Sequence, residues 1–159
     1  MEDALNTILK DTYGLSQLKR RLLILKSQLL IKFFGGQSSE PITETDSKWL
    51  KSLPSEFLNG FNKDNVYKIF EDSEKTLTFL KPVTIYLTFE PDDTSIASIG
   101  SYAKKAFSNP LLLLDIKYDP NLIAGAALVW KGVYRDYSLR SRIDERKLAI
   151  LESFKKFLR

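Results

Sequence analysis

Two amino acids are missing from this 159-residue chain: it has no cysteine and no histidine. Without cysteine there are no disulfides, thiol nucleophiles or thiolate metal sites. Without histidine, the commonest general base and transition-metal ligand is gone. Ser-His-Asp triads, zinc deaminases and zinc proteases are therefore excluded. Carboxylate, lysine, tyrosine and backbone chemistry remain, and a carboxylate-bound Mg²⁺ stays formally open. Six prolines and seven glycines are too few for a linker or fibrous protein. Long apolar runs are also scarce. The strongest, Leu22 to Phe34, is interrupted by Lys26 and Lys32 and falls short of the roughly 20 residues of a membrane span. It starts too far from Met1 to read as a signal peptide, which leads us to expect a soluble, intracellular chain.

What is present suffices for a core: 43% of residues are hydrophobic and 28% charged, a composition for one domain or a domain with an appendage. The net charge of +4 is unevenly laid out. Residues 1–36 hold six bases and three acids, residues 37–130 nine and thirteen, and residues 131–159 nine and four. Basic ends suit nucleic acid, an anionic membrane or an acidic protein partner.

Residues 2–34 read as helix with a break near Gly14. Leu15, Leu18, Leu22, Leu25 and Leu29 follow a 3-4-3-4 spacing that sets one leucine seam on a helix. Two readings stay open: an amphipathic helix packed on its own domain, or a coiled-coil helix that pairs with a partner's helix. Gly35-Gly36-Gln37-Ser38-Ser39 ends it as a linker candidate. Short helices are expected from Thr45 or Asp46 to Asn59, interrupted at Pro54, and from Asn62 to Glu74, with Val66, Tyr67 and Phe70 inward. Thr76 to Phe89 then turns β-like, with Val83, Ile85 and Leu87 alternating against Thr84, Tyr86 and Thr88. A helix over about 95–107 and a strand over 111–118 follow, the latter's leucines suggesting burial on both faces. Residues 126–130 and 133–137 form a hairpin across Lys131-Gly132. A closing helix from about Ser138 carries Leu148, Leu151, Phe154 and Leu158 on one side. The fold class is α+β: a helical front over 1–36 and 37–75, then a small β-α-β-β-α module over 76–159.

Catalytic constellations do not emerge. No phosphate-binding glycine loop occurs. Asp92-Asp93 sits at a helix start, where acids offset the helix dipole, and Glu71, Asp72 and Glu74 read as a solvated helix end. The aromatics Tyr134, Tyr137, Phe154 and Phe157 accompany the basic C-terminal helix, and core packing is the expectation for them. Arg140, Arg142, Arg146 and Lys147 remain candidates for an acidic partner.

Two motifs are more specific. Asp119-Pro120-Asn121-Leu122-Ile123-Ala124-Gly125 and Asp136-Tyr137-Ser138-Leu139-Arg140-Ser141-Arg142-Ile143, with the hairpin between them, resemble the C-terminal domain of the F-type ATP synthase delta subunit family, which includes the mitochondrial oligomycin sensitivity conferral protein. The resemblance spans roughly residues 77–150. Ala124 stands where the family has the first of two glycines, and Tyr137 where it has a small residue. Only about 75 residues precede the match, against a six-helix bundle in the family, so the front is either a reduced bundle or a different element. The motif residues have structural jobs. Asp119-Pro120 fixes a turn, Gly125 allows a close approach or a bulge where the strand starts and Ser138 caps the last helix. Asp136 pairs with Arg140 or favours the helix dipole, leaving the other of Arg140 and Arg142 for a partner.

The resemblance implies a non-catalytic peripheral-stalk subunit without cofactor, metal or small-molecule substrate. It implies a place on the cytoplasmic face of the inner or plasma membrane, peripheral, within a membrane complex. Its partners would be the b-type stalk subunit, with the alpha and beta subunits of the catalytic head as further candidates. The leucine seam would add helix–helix contact. The rival reading is a small nucleic-acid-binding module using the basic C-terminal helix; an enzyme working through carboxylates alone has no constellation to support it.

Overall fold

The computed structural model describes residues 2–36 and 41–158; the end of the expected linker lies outside them. Among the described residues, seven helices and four strands occur in the order α1 (Glu2–Lys10), α2 (Leu15–Phe34), α3 (Glu44–Ser52), α4 (Ser55–Asn59), α5 (Val66–Phe79), β1 (Val83–Leu87), α6 (Asp93–Ala106), β2 (Leu114–Tyr118), β3 (Ala126–Trp130), β4 (Val133–Asp136) and α7 (Leu139–Phe157). A 3-10 turn, Pro120–Leu122, separates β2 from β3. The protein is α+β, with a helical front and a mixed sheet of order β2-β1-β3-β4. β1 pairs parallel with β2 through the α6 crossover and antiparallel with β3, which pairs antiparallel with β4.

Several element ends have a local cause. Thr43 and Asp46 close a capping box on α3, the Asp92 side chain accepts from the Ser95 amide at the start of α6, and Ser138 does so from Ser141 on α7. Lys131 and Gly132 both have positive φ, so the β3–β4 hairpin closes through a primed turn, whose twist matches that of the strands. Several boundaries differ from the sequence reading: the strand expected from Leu111 starts at Leu114, and the helix expected from Asn62 starts at Val66. The first helix breaks over 11–14 rather than at Gly14 alone. α5 continues through Thr76-Leu77-Thr78-Phe79, where β-branched residues had suggested strand: Leu77 packs on the front core, and packing outweighs propensity.

One core joins α1, α2, α3 and α5 around Leu9, Leu18, Leu25, Trp49, Val66 and Phe70. A second lies between α6 and the sheet, built from Val83, Ile85, Leu87 and Ala103. Leu113 enters the first core while Leu112 and Leu114 enter the second, so burial on both faces takes the form of a bridge between cores. Leu111 is exposed.

The leucine seam is occupied within the chain. Leu18 is 0% exposed; Leu22, Leu25 and Leu29 are also buried, and Leu15 packs half-buried against the same core. Of the two readings, the helix packed on its own domain describes this fold, and pairing with a partner helix through these leucines does not, because α1, α3 and α5 already cover them. Tyr67, expected inward, is exposed and lies tilted on Phe34.

The front and the sheet module meet at the α1–α2 elbow. The Leu114 amide donates to Tyr13 O at 2.8 Å, and Gly14 bridges Leu114. Lys104 Nζ on α6 donates to Leu9 O and Thr12 O at 3.0 and 2.9 Å, capping the end of α1; burial pushes its amine down from the ordinary lysine range. Tyr13 presses on Gly100 so closely that a Cβ there would meet Tyr13 Cβ at 2.6 Å.

Candidate functional site

The two sequence motifs, separated by the hairpin, fold into one junction. The Asp119 side chain accepts from the Asn121 amide at 3.0 Å and opens the 3-10 turn, whose Leu122 is buried. Ala124 O then accepts from the Leu139 amide at 2.8 Å, and Ala126 O from the Tyr137 amide at 2.9 Å. The first motif thereby receives the root of α7. Gly125 adopts φ +86°, and a Cβ there would stand 2.7 Å from Tyr137 O. The close approach read from sequence is thus that of the second motif's backbone.

Asp136 does not pair with Arg140. Its carboxylate accepts from the Ser138 amide at 2.8 Å and the Tyr134 hydroxyl at 3.2 Å. Hydrogen bonding from Ser138 holds its pKa below the ordinary carboxylate value, with Arg140 the least of the contributing causes. The Arg140 guanidinium stands 3.9 Å from Asp144 one turn along α7. Arg142 is exposed and makes no ion pair among the described residues. The Ser138 hydroxyl, fully buried, accepts from the Ser141 amide at 3.2 Å. Asp136 and Ser138 therefore order the strand-to-helix turn, and the arginines are left on the surface.

From this socket α7 leaves the body of the protein. None of its 19 residues is buried, and its principal contact is with the 3-10 turn at its root. Phe157 is 88% exposed and Leu158 81%, and Leu148, Leu151 and Phe154 are exposed as well. This corrects the expectation that the aromatics pack in the core: Tyr134, Tyr137, Phe154 and Phe157 all face outward. The periodicity marks an apolar face, but only the fold shows that nothing in the described chain covers it. Monomeric surfaces rarely leave such a stripe bare unless it meets a partner.

Elsewhere, a cavity of about 330 Å³ lies where α2, α3 and α6 begin, lined by Arg20, Arg21, Asp46 and Asp93 among others. Its arginines serve the fold. Arg20 clamps Asp46, with the closest approach 2.6 Å, and donates to Pro41 O. Arg21 donates to Asp11 O and Thr12 Oγ1 and lies over the Trp49 ring. Asp92 caps α6, and Glu71 and Glu74 pair with Lys75 and Lys26 on the surface. No group of three or more acidic side chains among the described residues is placed to hold a metal ion. No described helix is long and apolar enough to cross a membrane.

No family model matches the chain, and no curated protein matches it.

Proposed function

We propose that the chain is a non-catalytic, delta-like peripheral-stalk subunit of an F-type ATP synthase, bound through α7 to the stalk. The observation that carries this reading is the unpartnered apolar face of α7, held out from a socket made by the two delta-like motifs. A stator resists torque, so it needs affinity and stiffness rather than reactive side chains. Exposed Phe154 and Phe157 supply large apolar anchors, and Arg142 and Arg146 supply peripheral charge. The elbow that joins the two cores through Lys104, Tyr13 and Leu114 supplies stiffness across the chain. In this reading the subunit sits peripherally at the cytoplasmic face of the membrane, its main partner is the b-type stalk subunit, and the head's alpha and beta subunits are further neighbours. Leu15, Leu18, Leu22, Leu25 and Leu29 take no part in this interface, since they pack in or against the front core.

Co-purification from native membranes with mass spectrometry tests the proposal. Recovery with ATP synthase subunits is the expected result. Recovery with ribosomes or nucleic acid, the result that the rival reading of the basic helix requires, would overturn it.

A further inference from the structure

We infer that α7 takes a partner helix whose apolar face is bordered by carboxylates, an inference that rests on the reading of α7 as the partner-binding element. At about 100° per residue, Leu139, Ile143, Ile150, Phe154 and Phe157 of α7 share an arc of about 60°. Arg142 and Arg146 border this arc on one side, Arg140 and Lys147 on the other, all within about 80° of Ile150. The helix's three acids, Asp144, Glu145 and Glu152, stand about 120° or more away, where Lys155 and Lys156 also lie. Exposed Leu158, Leu151 and Leu148 widen this apolar surface to about 80°, 100° and 160° from Ile150, so that it carries five cations, Lys155 at about 140° included, against one anion, Asp144 at about 120°. Only Arg140 has an acidic neighbour, Asp144 at 3.9 Å with both side chains more than half exposed, and such a contact is readily exchanged for a partner's carboxylate.

The pattern fits a helix as the occupant. Arg146 and Lys147 sit beside the arc at mid-helix, within the turn of charged side chains that residues 144–147 form between Ile143 and Leu148. An anionic lipid surface would take the same cations at headgroup level. A helix crossing there can place carboxylates against them while its own apolar residues meet Ile143 on one side and Ile150, Phe154 and Phe157 on the other. A nucleic acid would use the cations but leave Leu139, Ile143 and Ile150 without a function.

The test uses the full chain and two soluble amphipathic helical peptides with the same leucine face, one bordered by glutamates and the other by lysines. The glutamate peptide is expected to bind about 10-fold more tightly near physiological salt. Arg142→Glu/Arg146→Glu/Lys147→Glu, with folding checked by circular dichroism, is expected to reverse the order. Equal affinities, no binding of either peptide, an unreversed order in the triple variant, or tighter binding of the natural chain to a random oligonucleotide or to anionic vesicles than to the glutamate peptide would each overturn the inference. Any of these results alongside recovery with ATP synthase subunits refutes the acidic-helix partner and leaves the stator reading standing. The expected peptide ranking without that recovery does the reverse.

Discussion

Replacing Asp46 by Asn should remove the clamp between α2 and α3, and its effect should depend on pH in a defined direction. The carboxylate accepts from Arg20 Nε at 3.2 and 3.1 Å and from Arg20 Nη2 at 2.6 Å, and closes the capping box with the Thr43 amide at 3.0 Å. Hydrogen bonding from Arg20 is the largest cause lowering its pKa from 3.8 to about 2. That shift corresponds to roughly 2.5 kcal/mol. Because the Arg20 side chain is 45% exposed, solvent screening reduces the expected loss to about 1–2 kcal/mol. A depressed folded-state pKa makes this contribution fully present above the unfolded value and lost as pH falls through the folded one. The stability gap between the natural chain and Asp46→Asn should therefore be largest at neutral pH, narrow below about pH 4 and nearly close around pH 2. Urea unfolding followed by far-UV circular dichroism across this range measures it. A gap that stays constant from neutral pH to pH 2, or none at neutral pH, would refute the clamp as the source of stability.

Three further substitutions probe the joints. Gly125→Ala should destabilise the chain by about 1–3 kcal/mol, because a side chain at φ +86° would also strike Tyr137 O; an unfolding midpoint equal to that of the natural chain would contradict this. Ser138→Ala removes a buried cap and should cost about 1 kcal/mol, with faster amide exchange confined to the first turn of α7. Gly100→Ala forces Tyr13 from its seat and should cost on the order of 1–3 kcal/mol. Limited proteolysis should then cut near the 11–14 elbow, and uncut chain under those conditions would argue against the elbow as the joint between the cores.

The local devices were legible in the sequence because their causes are local. Val83, Ile85 and Leu87 alternate, Lys131-Gly132 suits a primed turn, and Ser138 and Asp92 are helix-capping residues at fixed offsets. The position of an apolar face relative to the rest of the fold is not local. The seam at Leu18, Leu22, Leu25 and Leu29 and the stripe at Leu148, Leu151, Phe154 and Leu158 both repeat at helical spacing, yet the first is buried and the second bare. What separates them is tertiary: α1, α3 and α5 return over α2, whereas the chain beyond Asp136 turns away through the motif junction. Asp136 likewise looked like a partner for Arg140 four residues on, but the strand-to-helix turn delivers the nearer Ser138 amide to it first.

The most direct test of α7 as the stalk-binding element is photo-crosslinking in cells from a light-activated residue placed at Phe157, with the adduct identified by mass spectrometry. The account expects an adduct to a stalk subunit of the ATP synthase, formed through the exposed tip of α7. An adduct to nucleic acid or a ribosomal protein, or an assembled ATP synthase containing the chain with no adduct from this position, would contradict it.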